Sequence, residues 1–184
     1  MSDGQSPHLH IVGLDHFLQN LDVKCVTVAG KIEEITQKNK LAEFRNGIIQ
    51  DNRVHLVAEE GRLDRPCLGS VLAKQNGADH IDITMPISER EKHGIRTPDY
   101  DRNDATRKAA YQVFEQYMFE RVREKHGGDT TALVMVGRRH LPGLTTLFKA
   151  AGCWVKTYDI NDCGWYLGVP QEGADGVLGH LREE

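Results

Sequence analysis

The chain has 184 residues, of which 39% are hydrophobic and 27% are charged. This length suits one globular domain with enough apolar material for a core. Acidic residues exceed basic ones, 27 to 23, which argues against a nucleic-acid-binding surface. The sequence shows neither an apolar run of the roughly 20 residues that a membrane span needs nor a secretory signal. We therefore expect a cytoplasmic protein with no nucleic-acid or membrane partner.

The four cysteines are widely separated and form no Cys-x-x-Cys pair. Their spacing indicates neither a disulfide framework nor a cysteine-based metal site, and it suits an intracellular protein with reduced thiols. The nine histidines are a generous supply for this length, and composition alone does not explain them.

Short apolar runs rich in β-branched residues alternate with segments of helical periodicity. The runs predict strands over residues 9–13, 54–58, 80–84, 132–137 and 154–158. The helical segments cover residues 31–49, 68–76, 104–126 and 143–151; the first takes its periodicity from Ile32, Ile35, Leu41, Phe44 and Ile48, interrupted at 37–40. This alternation predicts a single three-layer α/β domain with a mainly parallel sheet. Its core would span residues 8–158, with a long loop at 86–103 and a C-terminal tail at 171–184.

One motif occurs twice, each time at the end of an apolar run. Gly13 is followed three residues later by His16, and Gly137 by His140. In a parallel sheet both motifs lie at strand carboxyl ends, where open α/β sheets bind ligands. Glycine permits a sharp turn and close approach of a ligand, and histidine can bind a metal ion or move a proton near neutral pH. A single Gly-x-x-His is expected by chance, so the alternative is that both are ordinary loop histidines.

Two adjacent carboxylates, Glu59 and Glu60, end the second predicted strand, and Arg62 follows them. Neighbouring strand residues point to opposite faces, so we expect only one carboxylate to face the ligand site. With His16 and His140 it would complete a divalent-metal site, or it would orient a histidine that acts as a general base. Arg62 would fix the carboxylate or bind an anionic group of a substrate. The alternatives are a solvated acidic turn and a plain surface charge.

Further candidates for substrate binding lie near the same edge. Asp82 lies inside the third apolar run, where a carboxylate is costly unless it is paired or serves a site. Arg90 belongs to the long loop after that run, which we expect to be able to close over the pocket. Asp15 lies between the glycine and the histidine of the first motif. The same substrate-binding set includes Gly13, Gly137 and Glu60.

Two more features complete a recognisable order of motifs. Met118 lies in the predicted helix 104–126, and the second Gly-x-x-His continues as Leu-Pro-Gly-Leu over residues 137–144. This order of motifs resembles the pattern of one superfamily. The pattern consists of a strand ending in Gly-x-x-His, a strand ending in Glu-x-x-Arg, a Met-bearing helix and a second Gly-x-x-His. The superfamily groups the TraB/PrgY-like pheromone-shutdown proteins, the Tiki-type proteases, the erythromycin esterases and the ChaN-like haem-binding lipoproteins. The resemblance favours Glu59, which forms Glu-x-x-Arg with Arg62, as the carboxylate that faces the pocket.

The resemblance implies metal-dependent proteolysis, ester hydrolysis or haem binding. We accordingly predict a hydrolase that cleaves an ester or amide bond of a small-molecule or peptide substrate, with catalytic residues His16, Glu59, Arg62 and His140. His16, Glu59 and His140 are also the predicted ligands of a divalent metal, and haem is the less favoured cofactor. The alternatives are a non-catalytic protein that binds a small ligand, a metal or haem, and a partner-binding module. Homo-oligomerisation is left open.

Overall fold

A computed structural model describes residues 8–15, 18, 27–61, 67–95, 104–127 and 130–168. Its five strands are β1 (His8–Leu14), β2 (Leu56–Glu59), β3 (Asp79–Asp82), β4 (Thr131–Gly137) and β5 (Trp154–Asp159). They form one parallel sheet in the order β3-β2-β4-β1-β5. The helices are α1 (Val28–Asp51), α2 (Leu68–Asn76), α3 (Ile87–Lys92), α4 (Asp104–Lys125) and α5 (Leu141–Ala150). The predicted α/β fold with a parallel sheet is confirmed.

Alternate strand residues supply two separate cores, one on each face of the sheet. Val57 packs in the core with α1 and α2, whereas its neighbours Leu56 and Ala58 pack in the core with α4 and α5. The central strand β4 is buried on both faces, which explains its nearly continuous apolar sequence. The structure therefore has three layers, with the sheet in the middle.

The direction of the chain across the sheet determines which helix covers which face. The chain passes from β1 to β2 to β3 in one direction and then returns through β4 to β5. Crossovers between parallel strands are right-handed, so this reversal moves the connecting helices to the opposite face. Crevices form at the carboxyl ends where adjacent strands send their connections to opposite faces. Here these positions are the two sides of β4, next to β1 and next to β2, and the gap between β2 and β3.

The predicted strands and helices all appear with end shifts of a few residues, and one predicted loop is partly helical. Residues 86–103 were expected to form a long loop, but α3 occupies Ile87–Lys92. Pro86 precedes this helix in an extended conformation (φ −61°, ψ 152°), as suits a residue at a helix start. The rest of that loop, 96–103, and the tail at 171–184 lie outside the described residues.

The buried face of α1 differs from the face that its isoleucines indicate. Ile32 and Ile35 are 61% and 45% exposed. The buried side chains keep a helical spacing, but half of them are polar: Glu34, Gln37, Leu41, Arg45, Ile48 and Ile49. The helix also continues through residues 37–40, where the periodicity is interrupted. Hydrophobic periodicity could not locate this face, because charged and amide groups occupy it.

Gly13 allows the segment after β4 to approach β1 closely. A Cβ atom at this position would lie 3.1 Å from Leu141 Cδ2 and 3.3 Å from the Cα of Arg138. Gly137, by contrast, has ordinary dihedral angles (φ −54°, ψ 135°) that any residue can adopt. The close approach at Gly13 is therefore to the protein's own backbone and side chains.

We expect Gly13→Val to lower the free energy of unfolding by about 1–3 kcal/mol, because the added atoms overpack this contact. Gly47→Ala is the matched control: it lies inside α1 with no atom within 4 Å of the added Cβ. That substitution should instead raise stability by roughly 0.5–1 kcal/mol, because it improves helix propensity without a clash. Urea denaturation of the three proteins measures both effects, and equal stability of Gly13→Val and the wild type would contradict the close approach.

Candidate functional site

His140 lies at the carboxyl end of β4, in a short 3-10 turn that leads into α5. Its side chain is buried, with a relative exposure of 7%. Nδ1 lies 3.3 Å from Glu115 Oε1, and Nε2 lies 3.6 Å from Glu60 Oε1. We call these three side chains the edge triad. They place one titratable ring between two carboxylates at the edge of the sheet where the fold forms its crevices.

Glu60 is held in the edge triad by both its backbone and its side chain. Its N–H donates to the carbonyl oxygen of Met135 over 2.8 Å, which continues the β2–β4 pairing beyond the end of β2. Its Oε2 accepts the backbone N–H of Gly137 over 2.7 Å. The second oxygen, Oε1, consequently faces His140.

Glu115 reaches His140 from α4, on the same face of the sheet. Gly143 permits this approach, since a Cβ there would overlap the Glu115 carboxylate. The rings of Tyr111 and Phe114 meet the imidazole edge-on, with centroid distances of 5.0 and 6.2 Å. The ring is thus surrounded by aromatic groups and by carboxylates, which fixes its orientation.

The carboxylates control the protonation of His140. Burial alone would lower its pKa, but the hydrogen bond with Glu115 and the charges of Glu60 and Glu115 raise the pKa above the usual 6.5. Arg139 opposes this effect weakly. The shift favours the charged imidazolium more than in a free histidine, with each ring N–H directed at a carboxylate.

Glu59 lies on the opposite face from the edge triad, so its assignment to the pocket of His140 was wrong. It is fully buried on the side of α1 and α2, as Val57 is. Its Oε1 lies 3.6 Å from Arg45 Nη1, and its Oε2 accepts the backbone N–H of Gly69 over 2.8 Å. The expected alternation of the two carboxylates is confirmed, but Glu60 is the one that meets His140. The pleat of β2 separates them.

A second group of side chains surrounds Glu59. Cys67, His80 and Glu59 each offer one metal-ligating atom, and these atoms all lie within 4.8 Å of one another. We call these three residues the Glu59 cluster. Sequence spacing did not reveal it, because Cys67 precedes α2 and His80 lies in the next strand. The parallel register pairs His80 with Val57 and so places it on the Glu59 face, which is the signal that could have found it.

Two predicted substrate-binding carboxylates are engaged by the protein itself. Asp15 accepts a short hydrogen bond from the Tyr166 hydroxyl, and it lies 3.8 Å from Arg138 Nη2. Burial and the Asp15 carboxylate raise the pKa of Tyr166. Asp82 accepts the backbone N–H of Thr84 and so forms a turn.

Arg90 joins α3 to α4, and its described contacts are with Met85 and Phe114. Its Nε donates to the carbonyl oxygen of Met85 over 2.9 Å, and its guanidinium lies 5.3 Å from the Phe114 ring centre. Met118 is buried in the core between α4 and the sheet. The predicted site residues His16 and Arg62 lie outside the described residues.

Comparisons with known proteins yield no match, whether to a family model, to a curated protein or to a solved structure. None of the helices in the described part of the chain combines the length and apolar character needed to cross a bilayer. The edge triad and the Glu59 cluster are therefore the features from which a function can be inferred.

The raised pKa of His140 predicts a pH dependence of stability. A group whose pKa is higher in the folded than in the unfolded chain stabilises the fold when it is protonated. For a histidine this stabilisation is fully present below the unfolded pKa of about 6.5. This contribution is lost as the pH rises through the folded value. We therefore expect the stability difference between the wild type and His140→Gln to shrink as the pH rises above about 6.5. Urea denaturation at several pH values measures it, and a difference that is constant or grows with pH would contradict the arrangement.

Proposed function

We propose that the protein is a hydrolase of ester or amide bonds and that the edge triad transfers the protons of the reaction. The observation that carries this proposal is the ion pair of His140 with Glu60 at the carboxyl edge of the parallel sheet. Ligands of open α/β sheets bind at this edge. Titratable groups with perturbed pKa values at such a position are typical of acid–base catalysts.

Glu60 and His140 face each other in the edge triad, and they suit opposite roles in hydrolysis. The Glu60 carboxylate takes a proton from a water molecule as the water attacks the substrate carbonyl. The His140 imidazolium donates its Nε2 proton to the departing alcohol or amine. The 3.6 Å separation of Nε2 and Oε1 is longer than a hydrogen bond, so a substrate group can compete for that proton. The proton gained by Glu60 returns to His140 and restores the resting state.

The other residues of the triad and of this edge have supporting roles. Glu115 holds the ring through Nδ1, which directs Nε2 towards Glu60. Arg138 and Arg139 follow β4 at the same edge, and the side chain of Arg138 is 41% exposed. A positive charge at this edge would stabilise the oxyanion that develops during attack.

The test measures hydrolysis of aryl ester and anilide substrates by the wild type, His140→Gln and Glu60→Gln. General acid–base catalysis typically contributes about 10²–10⁴-fold, so we expect kcat to fall by at least about 100-fold in both variants. Glu60→Gln retains the shape of the side chain and removes its charge, which separates charge from packing.

His55→Gln is the matched control, because this exposed histidine precedes β2 at the opposite edge of the sheet. Its activity should equal that of the wild type. Hydrolysis that survives in both triad variants would refute the proposal. Absence of hydrolysis in the wild type, together with tight binding of a substrate analogue that His140→Gln abolishes, would favour a non-catalytic binding protein.

A further inference from the structure

The donor atoms of the Glu59 cluster match the spacing of ligands around one metal ion. Cys67 Sγ lies 3.6 Å from His80 Nε2, and His80 Nε2 lies 3.9 Å from Glu59 Oε2. In a tetrahedral site, zinc bond lengths of about 2.3 Å to sulfur and about 2.0–2.1 Å to nitrogen place these two donors about 3.6 Å apart. The distance from Cys67 Sγ to His80 Nε2 equals this value, and the distance from His80 Nε2 to Glu59 Oε2 is only slightly longer.

The surroundings of the cluster supply a second, independent indication. Arg45 is fully buried, and none of its three guanidinium nitrogens has a hydrogen-bond partner among the described residues. Glu59 Oε1, which faces Arg45 over 3.6 Å, is also without a hydrogen bond there. Native proteins rarely bury unsatisfied charged groups. The guanidinium donors need an acceptor, which a metal cation cannot be but which a water or an anion bound together with the metal can. A carboxylate that binds a metal through one oxygen and faces a cation with the other is a common arrangement around metal sites.

Hydrogen bonds of the protein itself hold Glu59 and Cys67 in place. The carbonyl oxygen of Glu59 accepts the N–H of Ile83, and the carbonyl oxygen of Cys67 accepts the Ser70 hydroxyl. Gly69 N–H holds Glu59 Oε2 in place, and a Cβ at position 69 would overlap that oxygen. His80 is 22% exposed, so it provides the approach for an ion from solvent.

We propose that Glu59, Cys67 and His80 bind a divalent transition-metal ion of the zinc class. These three ligands leave a fourth tetrahedral position for water or another small ligand. The Cys67 thiol loses its proton to solvent when it binds, so one metal ion displaces one proton. The thiolate and the Glu59 carboxylate supply two negative charges against the two of the ion and the one of Arg45, so an anionic fourth ligand such as hydroxide or chloride would neutralise the site. This site goes beyond the proposed hydrolase function and is separated from the edge triad by the sheet.

The test uses Co²⁺, because a thiolate bound to cobalt gives a charge-transfer absorption that bound imidazole or carboxylate does not. The reduced wild-type protein should bind one equivalent of Co²⁺ with this absorption, and Zn²⁺ should displace it. Cys67→Ser should abolish the band. His80→Gln should weaken Co²⁺ affinity by more than about tenfold, since even outer partners of a metal site are worth 10–100-fold.

Cys163→Ser is the matched control, because Cys163 is a free, partly buried thiol after β5. Its cobalt spectrum and affinity should equal those of the wild type. The thermal midpoint of each apo-protein verifies that the variants are folded, and Zn²⁺ should raise this midpoint in the wild type but not in Cys67→Ser. A folded wild type without the absorption band, or a band that persists in Cys67→Ser or is unchanged in His80→Gln, would overturn the assignment.

Discussion

Two adjacent carboxylates at the end of β2 are the constraint around which both faces of the sheet are organised. The pleat directs Glu59 towards α1 and α2 and Glu60 towards α4 and α5. A buried charge is tolerated only when it is paired. Each carboxylate therefore requires a cation on its own side, and the fold supplies Arg45 from α1 and His140 from the end of β4. The two clusters follow from this one alternation.

The pairing explains why α1 buries polar groups and exposes isoleucine. Removing one partner of a buried ion pair typically costs about 3–5 kcal/mol, which exceeds the roughly 1.5–3 kcal/mol gained by burying one aliphatic side chain. The rotation of α1 that places Arg45 against Glu59 therefore outweighs burial of Ile32. Gln37 on the same face also finds partners, since its side chain donates to the carbonyl oxygen of Gly168 and accepts the N–H of Leu167.

The fold could be predicted from the sequence to a large extent, and the candidate site only in part. Short runs with apolar and β-branched residues identified all five strands. The runs of β2 and β4 are nearly continuous, because these inner strands are covered on both faces, whereas the edge strands β3 and β5 are partly exposed and carry polar residues. Strand parity also predicted that Glu59 and Glu60 diverge. It could not say on which face the matching histidine lies, so the short Glu-x-x-Arg motif selected the wrong carboxylate. Arg45 and Cys67 join Glu59 only through long-range packing, which no local spacing encodes.

The backbone around β2 keeps the two carboxylates from exchanging roles. Glu60 N–H pairs with Met135 on one side, and the carbonyl oxygen of Glu59 pairs with Ile83 on the other, so consecutive residues are fixed between two neighbouring strands. A one-residue slip of β2 would turn each side chain to the other face. A slip in one direction would place Ala58 where Glu59 meets Arg45, and a slip in the other would place Gly61 where Glu60 meets His140, so either slip would leave one cation unpaired. The register of β2 is thus determined by charge as well as by hydrophobic contact, and it holds the edge triad and the Glu59 cluster on opposite sides of the sheet.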